Sequence, residues 1–194
     1  MTDTGAILLS GGRGSRLGGI EKGLAPLAGR PLIQWVIERI APQVDELVIS
    51  ANHQTEAYRT LGWPVIADTL PNQPGPLAGI LASAANMRSE WLLVVPCDTP
   101  FLPADLVTQL AAATGPETLL ARAVDAGQAH YAIMRLHRSL LSDMAAFLAK
   151  GQRSVQRWQA RHTCGEALFQ DATAFANLNT AEDLARAATR LLGR

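Results

Sequence analysis

Residues 5–10 read GAILLS and residues 11–23 read GGRGSRLGGIEKG. The first stretch is a short apolar run bounded by glycine, the pattern of a strand buried on both faces. It opens into a loop holding six of the chain's 16 glycines, at positions 11, 12, 14, 18, 19 and 23, interleaved with Arg13, Arg16 and Lys22. Glycine accepts positive φ and lets the backbone approach a ligand, so converging N–H groups and cationic side chains make an anion nest suited to a triphosphate. The plain alternative is a surface turn whose charges are merely solvated. A Walker A loop would need Ser or Thr after its lysine, and Lys22 is followed by Gly23. A dinucleotide fingerprint begun at Gly12 would need glycine at position 17, where Leu17 stands.

Further apolar runs follow at Glu46–Ser50 (ELVIS), Pro64–Ala67 (PVIA) and Trp91–Val95 (WLLVV). Helical spacing is expected between them at Leu32–Ile40, Leu77–Ala85 and Ala104–Ala113, with Pro31 and Pro103 suited to first turns. Strands alternating with helices predict βαβ units, hence an α/β fold: a mostly parallel open sheet with helices on both faces. Past Thr118 the pattern changes. LLARAV, a turn at Asp125–Gln128 and HYAIMRL read as a hairpin, a short antiparallel addition opening a mixed second half that caps the first. Leu140, Leu141, Met144, Phe147 and Leu148 form an amphipathic core stripe ended by Gly151. Thr180 and Asp183 have the offset of a capping box before a terminal helix bearing Leu184, Ala187 and Leu191.

At 194 residues with 48% hydrophobic and 18% charged side chains, the expectation is one globular domain over residues 1–194, without repeats or linkers. Seventeen basic residues balance 17 acidic ones, so no global field is present to hold nucleic acid or an anionic membrane surface. With no basic leader at the start and no apolar run of spanning length, a cytoplasmic protein is expected. Cys97 and Cys164 show no metal-ligand spacing and read as reduced thiols, Cys97 as packing at a strand end. His53, His130, His137 and His162 lack ligand spacing too, and Trp35, Trp63, Trp91 and Trp158 are too scattered for a base-stacking platform.

Asp68 follows PVIA and Asp98 follows WLLVVPC, so both belong at the carboxyl ends of parallel strands, where open α/β sheets bind ligands. A cationic nest and carboxylates at one edge suit Mg²⁺ with a nucleotide. Asp98 reads as the metal ligand in preference to a turn cap before Thr99-Pro100; for Asp68 the two readings stand level. Asn177 and Asn179 are ligands for metal or nucleotide, or caps of the terminal helix.

Leu9-Ser-Gly-Gly12, Ser15-Arg-Leu-Gly-Gly19 and Lys22-Gly-Leu24 together resemble the signature loop of molybdenum cofactor guanylyltransferases. The resemblance continues through Gly29-Arg-Pro-Leu32, Gly75-Pro-Leu-Ala-Gly79, Cys97-Asp-Thr-Pro-Phe-Leu-Pro103 and Asn177-Leu-Asn-Thr180, in order along most of the chain. It implies Mg²⁺-dependent transfer of GMP from GTP to the terminal phosphate of molybdenum-molybdopterin, releasing pyrophosphate. On the residues, it implies that Leu9, Ser10 and Gly11 line the guanosine site, that Lys22 meets phosphate, that Asn52 borders base or ribose, that Asp68 lies near the nucleotide and that Asp98 binds Mg²⁺. Gly12, Gly14, Ser15, Gly79, Asn177 and Asn179 join the nucleotide-binding set, and Arg16 and Lys22 join Asp98 in catalysis. Residues up to about 100 would hold the nucleotide and the remainder the acceptor. Transient partners would be a molybdenum-inserting enzyme and molybdoenzyme chaperones.

Glu21 replaces the family's usual Asp, Leu17 its Met and Ala181 its Pro, and Ala129-His130-Tyr131 departs from a His-Pro or Gln-Pro pair. The rival readings are a molybdopterin cytidylyltransferase, against which Gly12 speaks because those relatives carry alanine there, a sugar-phosphate nucleotidyltransferase, and a GTP-sensing module that binds without reacting.

Overall fold

The computed structural model describes residues 3–10, 21–68 and 75–193. The run GAILLS forms β1 (Thr4–Leu9), whose residues are buried almost throughout. β1 is hydrogen-bonded in parallel on both flanks, to β4 (Glu46–Ser50) on one side and β6 (Trp91–Pro96) on the other. A strand covered on both faces and paired on both edges favours apolar side chains, which is why it reads as continuous hydrophobe from Ala6 onward.

Between β1 and β4 lie a two-residue hairpin, β2 (Pro26–Leu27) with β3 (Arg30–Pro31), and helix α1 (Leu32–Ile40). The hairpin turn is carried by Ala28 and Gly29, both at positive φ (49° and 79°). α1 buries Leu32, Ile33, Val36, Ile37 and Ile40, each contributing roughly 1.5–3 kcal/mol of apolar transfer free energy. Helix α2 (Thr55–Arg59) then leads to β5 (Val65–Ile66), parallel to β4, and α3 (Pro76–Ala84) returns the chain to β6. These are the expected βαβ units, with boundaries moved by a residue or two. The hairpin and α2 escaped the sequence reading because elements of two to five residues carry no periodicity.

After α4 (Leu106–Ala112) come β7 (Leu120–Asp125) and β8 (Gln128–His137), joined through Ala126 and Gly127 at φ 39° and 83°, the sense of a type I′ turn. The expected hairpin is present, and it joins the sheet as the expected antiparallel addition. α5 (Leu141–Ala149), α6 (Val155–Gln159), β9 (Gly165–Phe169) and α7 (Ala181–Leu192) complete the chain. The strand order is β5-β4-β1-β6-β8-β7-β9; among the described strands of this sheet, β8 runs antiparallel to both of its neighbours and the rest are mutually parallel. β9 was not anticipated. Its first residue, Gly165, allows close passage of α4: a Cβ there would sit 1.9 Å from the Ala113 carbonyl oxygen.

One face of the sheet packs on α1, α2 and α4, the other on α3, α5 and α6. A smaller cluster, Leu27, Leu32, Phe101, Leu178 and Ala187, anchors α7 beside the hairpin. The Thr180–Asp183 capping box expected from sequence is formed in both directions. Among the described residues, no helix is long and apolar enough to cross a membrane.

Candidate active site

Strands β4 and β5 lie on one side of β1 and β6 on the other, so connections leaving the sheet reverse direction between β1 and β6. The crevice outside the carboxyl ends at such a reversal is where open α/β sheets hold ligands. Leu9 pairs with Pro96 at the last register position, and the Cys97 N–H donates to the Leu9 carbonyl at 3.0 Å. Asp98 therefore enters at the mouth of the crevice.

Asp98 is only 7% exposed. Its Oδ2 accepts from the Lys22 ammonium, which also donates to Oδ1 of Asn179. Three segments converge here: the 3-10 turn Lys22–Leu24, the end of β6 and the strap before α7. The strap is tied down at its core, because the Leu178 N–H donates to the Asp98 carbonyl at 3.0 Å. Oδ1 of Asp98 is buried without a hydrogen-bond partner among the described residues. A buried carboxylate oxygen is costly to leave unpaired. Hard oxygen donors, one carboxylate with an amide oxygen close by, fit a divalent cation that takes the rest of its shell from water and phosphate. No group of three or more His, Cys, Asp or Glu able to hold a metal occurs among the described residues.

A second acid lies farther along the same edge. Asn52 Nδ2 donates to Asp68 Oδ2 at 2.7 Å while the Asp68 N–H donates to Asn52 Oδ1 at 2.9 Å. This reciprocal pair joins the ends of β4 and β5 and leaves Asp68 half-buried.

Ser10 is buried, and its N–H donates to the Ser50 carbonyl at 2.8 Å. Gly79 lies in α3 where a Cβ would come 2.5 Å from Ser50 Oγ, so its lack of a side chain lets the helix sit on the sheet edge. Asn177 is exposed and lines a separate groove with Phe101, Leu178, Arg186 and Arg190; no hydrogen bond among described residues joins it to Lys22 or Asp98. Gly11, Gly12, Gly14, Ser15 and Arg16 lie outside the described residues. Cys97 packs as expected: burial, reinforced by the Asp98 charge, pushes its thiol up to about 12, far from a nucleophile's range.

Sequence reasoning missed Tyr58. It is fully buried from α2, with its hydroxyl beside Ser10 and Gly23. The one available signal was a lone aromatic in the TEAYR segment.

A family model described as the MobA-like NTP transferase domain matches residues 6–165. The molybdenum cofactor guanylyltransferase of Cupriavidus pinatubonensis is 42% identical over 190 residues, covering 94% of each chain. That of Burkholderia orbicola is 44% identical over 196 residues, covering 95% of each. Among solved structures, molybdopterin-guanine dinucleotide biosynthesis protein A from Archaeoglobus fulgidus superposes with a TM-score of 0.77 at 21% identity, over 98% of this chain and 100% of that one. CMP:2-keto-3-deoxy-manno-octonic acid synthetase complexed with CTP gives 0.75 at 15%, over 98% of both. At such identities the structural likenesses show the fold alone, a Rossmann-like, mostly parallel sheet. With the family model spanning most of the chain and close relatives matching nearly end to end, this nucleotidyltransferase belongs to the MobA-like NTP transferase family, among the molybdenum cofactor guanylyltransferases.

Proposed function

We propose that this enzyme transfers GMP from GTP to the terminal phosphate of molybdopterin, giving the guanine dinucleotide form and pyrophosphate. The observation that carries the reading is the Lys22–Asp98–Asn179 convergence at the reversal point, in a chain whose near relatives bear that activity in their names. An oxygen of the acceptor phosphate attacks the α-phosphorus of GTP, a new P–O bond forms, and the bond to the β-phosphate oxygen breaks with its electron pair leaving on pyrophosphate. The nucleophile is already anionic, so no base or covalent intermediate is required, and the protein's task is alignment and charge compensation.

Lys22 supplies a positive charge next to the transferred and departing phosphates, with Arg16 of the glycine-rich loop adding a second. Asp98 would hold Mg²⁺ through its unpartnered Oδ1, with Asn179 close by; when bound, the ion supplies charge neutralisation across phosphate oxygens. Leu9, Ser10, Gly11, Gly12, Gly14 and Ser15 would frame the nucleoside and phosphates. The Asn52–Asp68 pair and Gly79 would border the base or ribose, and Asn177 would extend the strap. The nucleotide is assigned to residues up to about 100 and the pterin to the half beyond.

Incubating the protein with Mg²⁺, GTP and molybdopterin should release one pyrophosphate per dinucleotide formed. Tight GTP binding with no pyrophosphate would replace transfer by sensing, and faster turnover with CTP would make it a cytidylyltransferase.

A further inference from the structure

Beneath Lys22 lies a buried polar platform of which only Ser10 has been given a part in binding the nucleotide. Tyr58 is fully buried, Ser10 is 2% exposed and Glu21 is 6% exposed. The Tyr58 hydroxyl faces the Gly23 backbone N–H and the Ser10 hydroxyl, yet neither hydroxyl makes a well-directed hydrogen bond among the described residues. Burial raises the phenol's pKa well above its ordinary value, so the group stays neutral. A Cβ built on Gly23 would lie 2.6 Å from Ser10 Oγ, 2.7 Å from Tyr58 Oη and 3.2 Å from Tyr58 Cε1. Gly23 has no positive φ to account for its glycine. What demands glycine at position 23 is occupied space.

The serine hydroxyl can rotate away from an added methyl. The phenol oxygen cannot, because its ring is locked among the side chains of the α1/α4 face. The Lys22-Gly23 backbone thus rests against a rigid polar surface, and Lys22 is the residue whose ammonium must reach both Asp98 and Asn179. We propose that Tyr58 is a positioning residue: its buried hydroxyl sets the height of the Lys22-Gly23 backbone and so aims the Lys22 ammonium at Asp98. The catalytic consequence rests on the phosphate role given to Lys22 above; the positional claim does not.

The sequence provides an internal control, because its two lysines are Lys22 and Lys150. Lys22 is 19% exposed and engaged, whereas Lys150 is exposed at the end of α5. Acylation by an amine-reactive ester, read by mass spectrometry as the Lys22:Lys150 rate ratio, reports the position of the ammonium without requiring turnover. In the wild type the ratio should be about tenfold below unity. Gly23→Ala should raise it severalfold and lower kcat for guanylyl transfer by about a hundredfold, with KM for GTP changed less. Gly23→Ala/Tyr58→Phe, in which the closer of the two contacts with the rigid ring is gone and only the 3.2 Å approach to Cε1 remains, should recover about tenfold of the lost kcat and restore part of the protection, although Tyr58→Phe alone lowers kcat severalfold.

A Gly23→Ala protein with wild-type protection and kcat overturns the proposal. So does a double variant no better than Gly23→Ala, or a Tyr58→Phe protein that loses melting temperature with the Lys22:Lys150 ratio unmoved. If the wild type performs no guanylyl transfer but the acylation ratios follow this pattern, the functional reading fails and the positional one stands.

Discussion

Two acids stand at the carboxyl edge of one sheet, in unlike surroundings. Asp98 is buried, bound to an ammonium through one oxygen and without a hydrogen-bond partner among the described residues at the other. Asp68 is half-buried, and its described contacts are with the neutral amide of Asn52. A charge-assisted contact in a desolvated crevice is both stronger and more sensitive to removal of one partner than a neutral one near solvent. Under the proposed function, Asp98 belongs to a centre that manages phosphate charge and the Asn52–Asp68 pair to a bracket at the rim of the base pocket. Proximity to a strand end is common to both acids, and only the surroundings tell them apart.

The comparison breaks most readily at the first acid. Asp98→Ala and Lys22→Ala should each lower kcat/KM by a hundredfold or more, about 2.7–4 kcal/mol of barrier, with far-ultraviolet circular dichroism unchanged; a folded Asp98→Ala protein of full activity removes the acid from the chemistry. Asp68→Asn retains an acceptor for Asn52 and should lose less than about tenfold, mainly in KM for GTP. Equal losses for the two acids would erase the distinction drawn here.

The strap carrying Asn179 offers a finer test. Thr180→Ala removes the cap acceptor of α7, costing about 1 kcal/mol and lowering the melting temperature by about 2–4 °C for a chain of this size. Hydrogen bonds from the Asn179 N–H and the Thr180 hydroxyl and N–H hold the Asp183 carboxyl below the usual carboxylate range. Its stabilisation is therefore complete above that range and is lost as pH falls through the folded-state value, so the stability gap between wild type and Asp183→Asn should close on acidification. The smallest effect is expected at Cys97: with its thiol pushed up to about 12 by burial, alkylation of native protein at pH 8 should proceed far more slowly than at Cys164, which is only partly buried.

The parallel half was readable because strands covered on both sides must be continuously apolar, so β1, β4 and β6 announce themselves. Asp98 could be placed because it follows such a run directly, and the glycine-rich loop pointed to the same edge. The far half was harder. Arg122 and Arg135 interrupt β7 and β8, Arg135 being buried with its guanidinium 3.7 Å from the centre of the Trp91 ring, a partner that no local pattern reveals. The register also shifts between Arg122 and Ala123, which breaks strict alternation. The Lys22–Asn179 contact spans 157 positions, and the Tyr58–Gly23 contact depends on side chains stacking through a core. Spacing along the chain carries neither.

β1 needs two neighbours, and they are made at different times. The first ends at Ser50 and the second at Pro96; at ribosomal speeds of about 5–20 residues per second, the interval between them lasts roughly 2–9 s. Through that interval the nascent chain presents a greasy, unzipped flank to whatever chaperones meet it. Codon choice between those two landmarks thereby becomes a lever on how much of the polypeptide escapes aggregation.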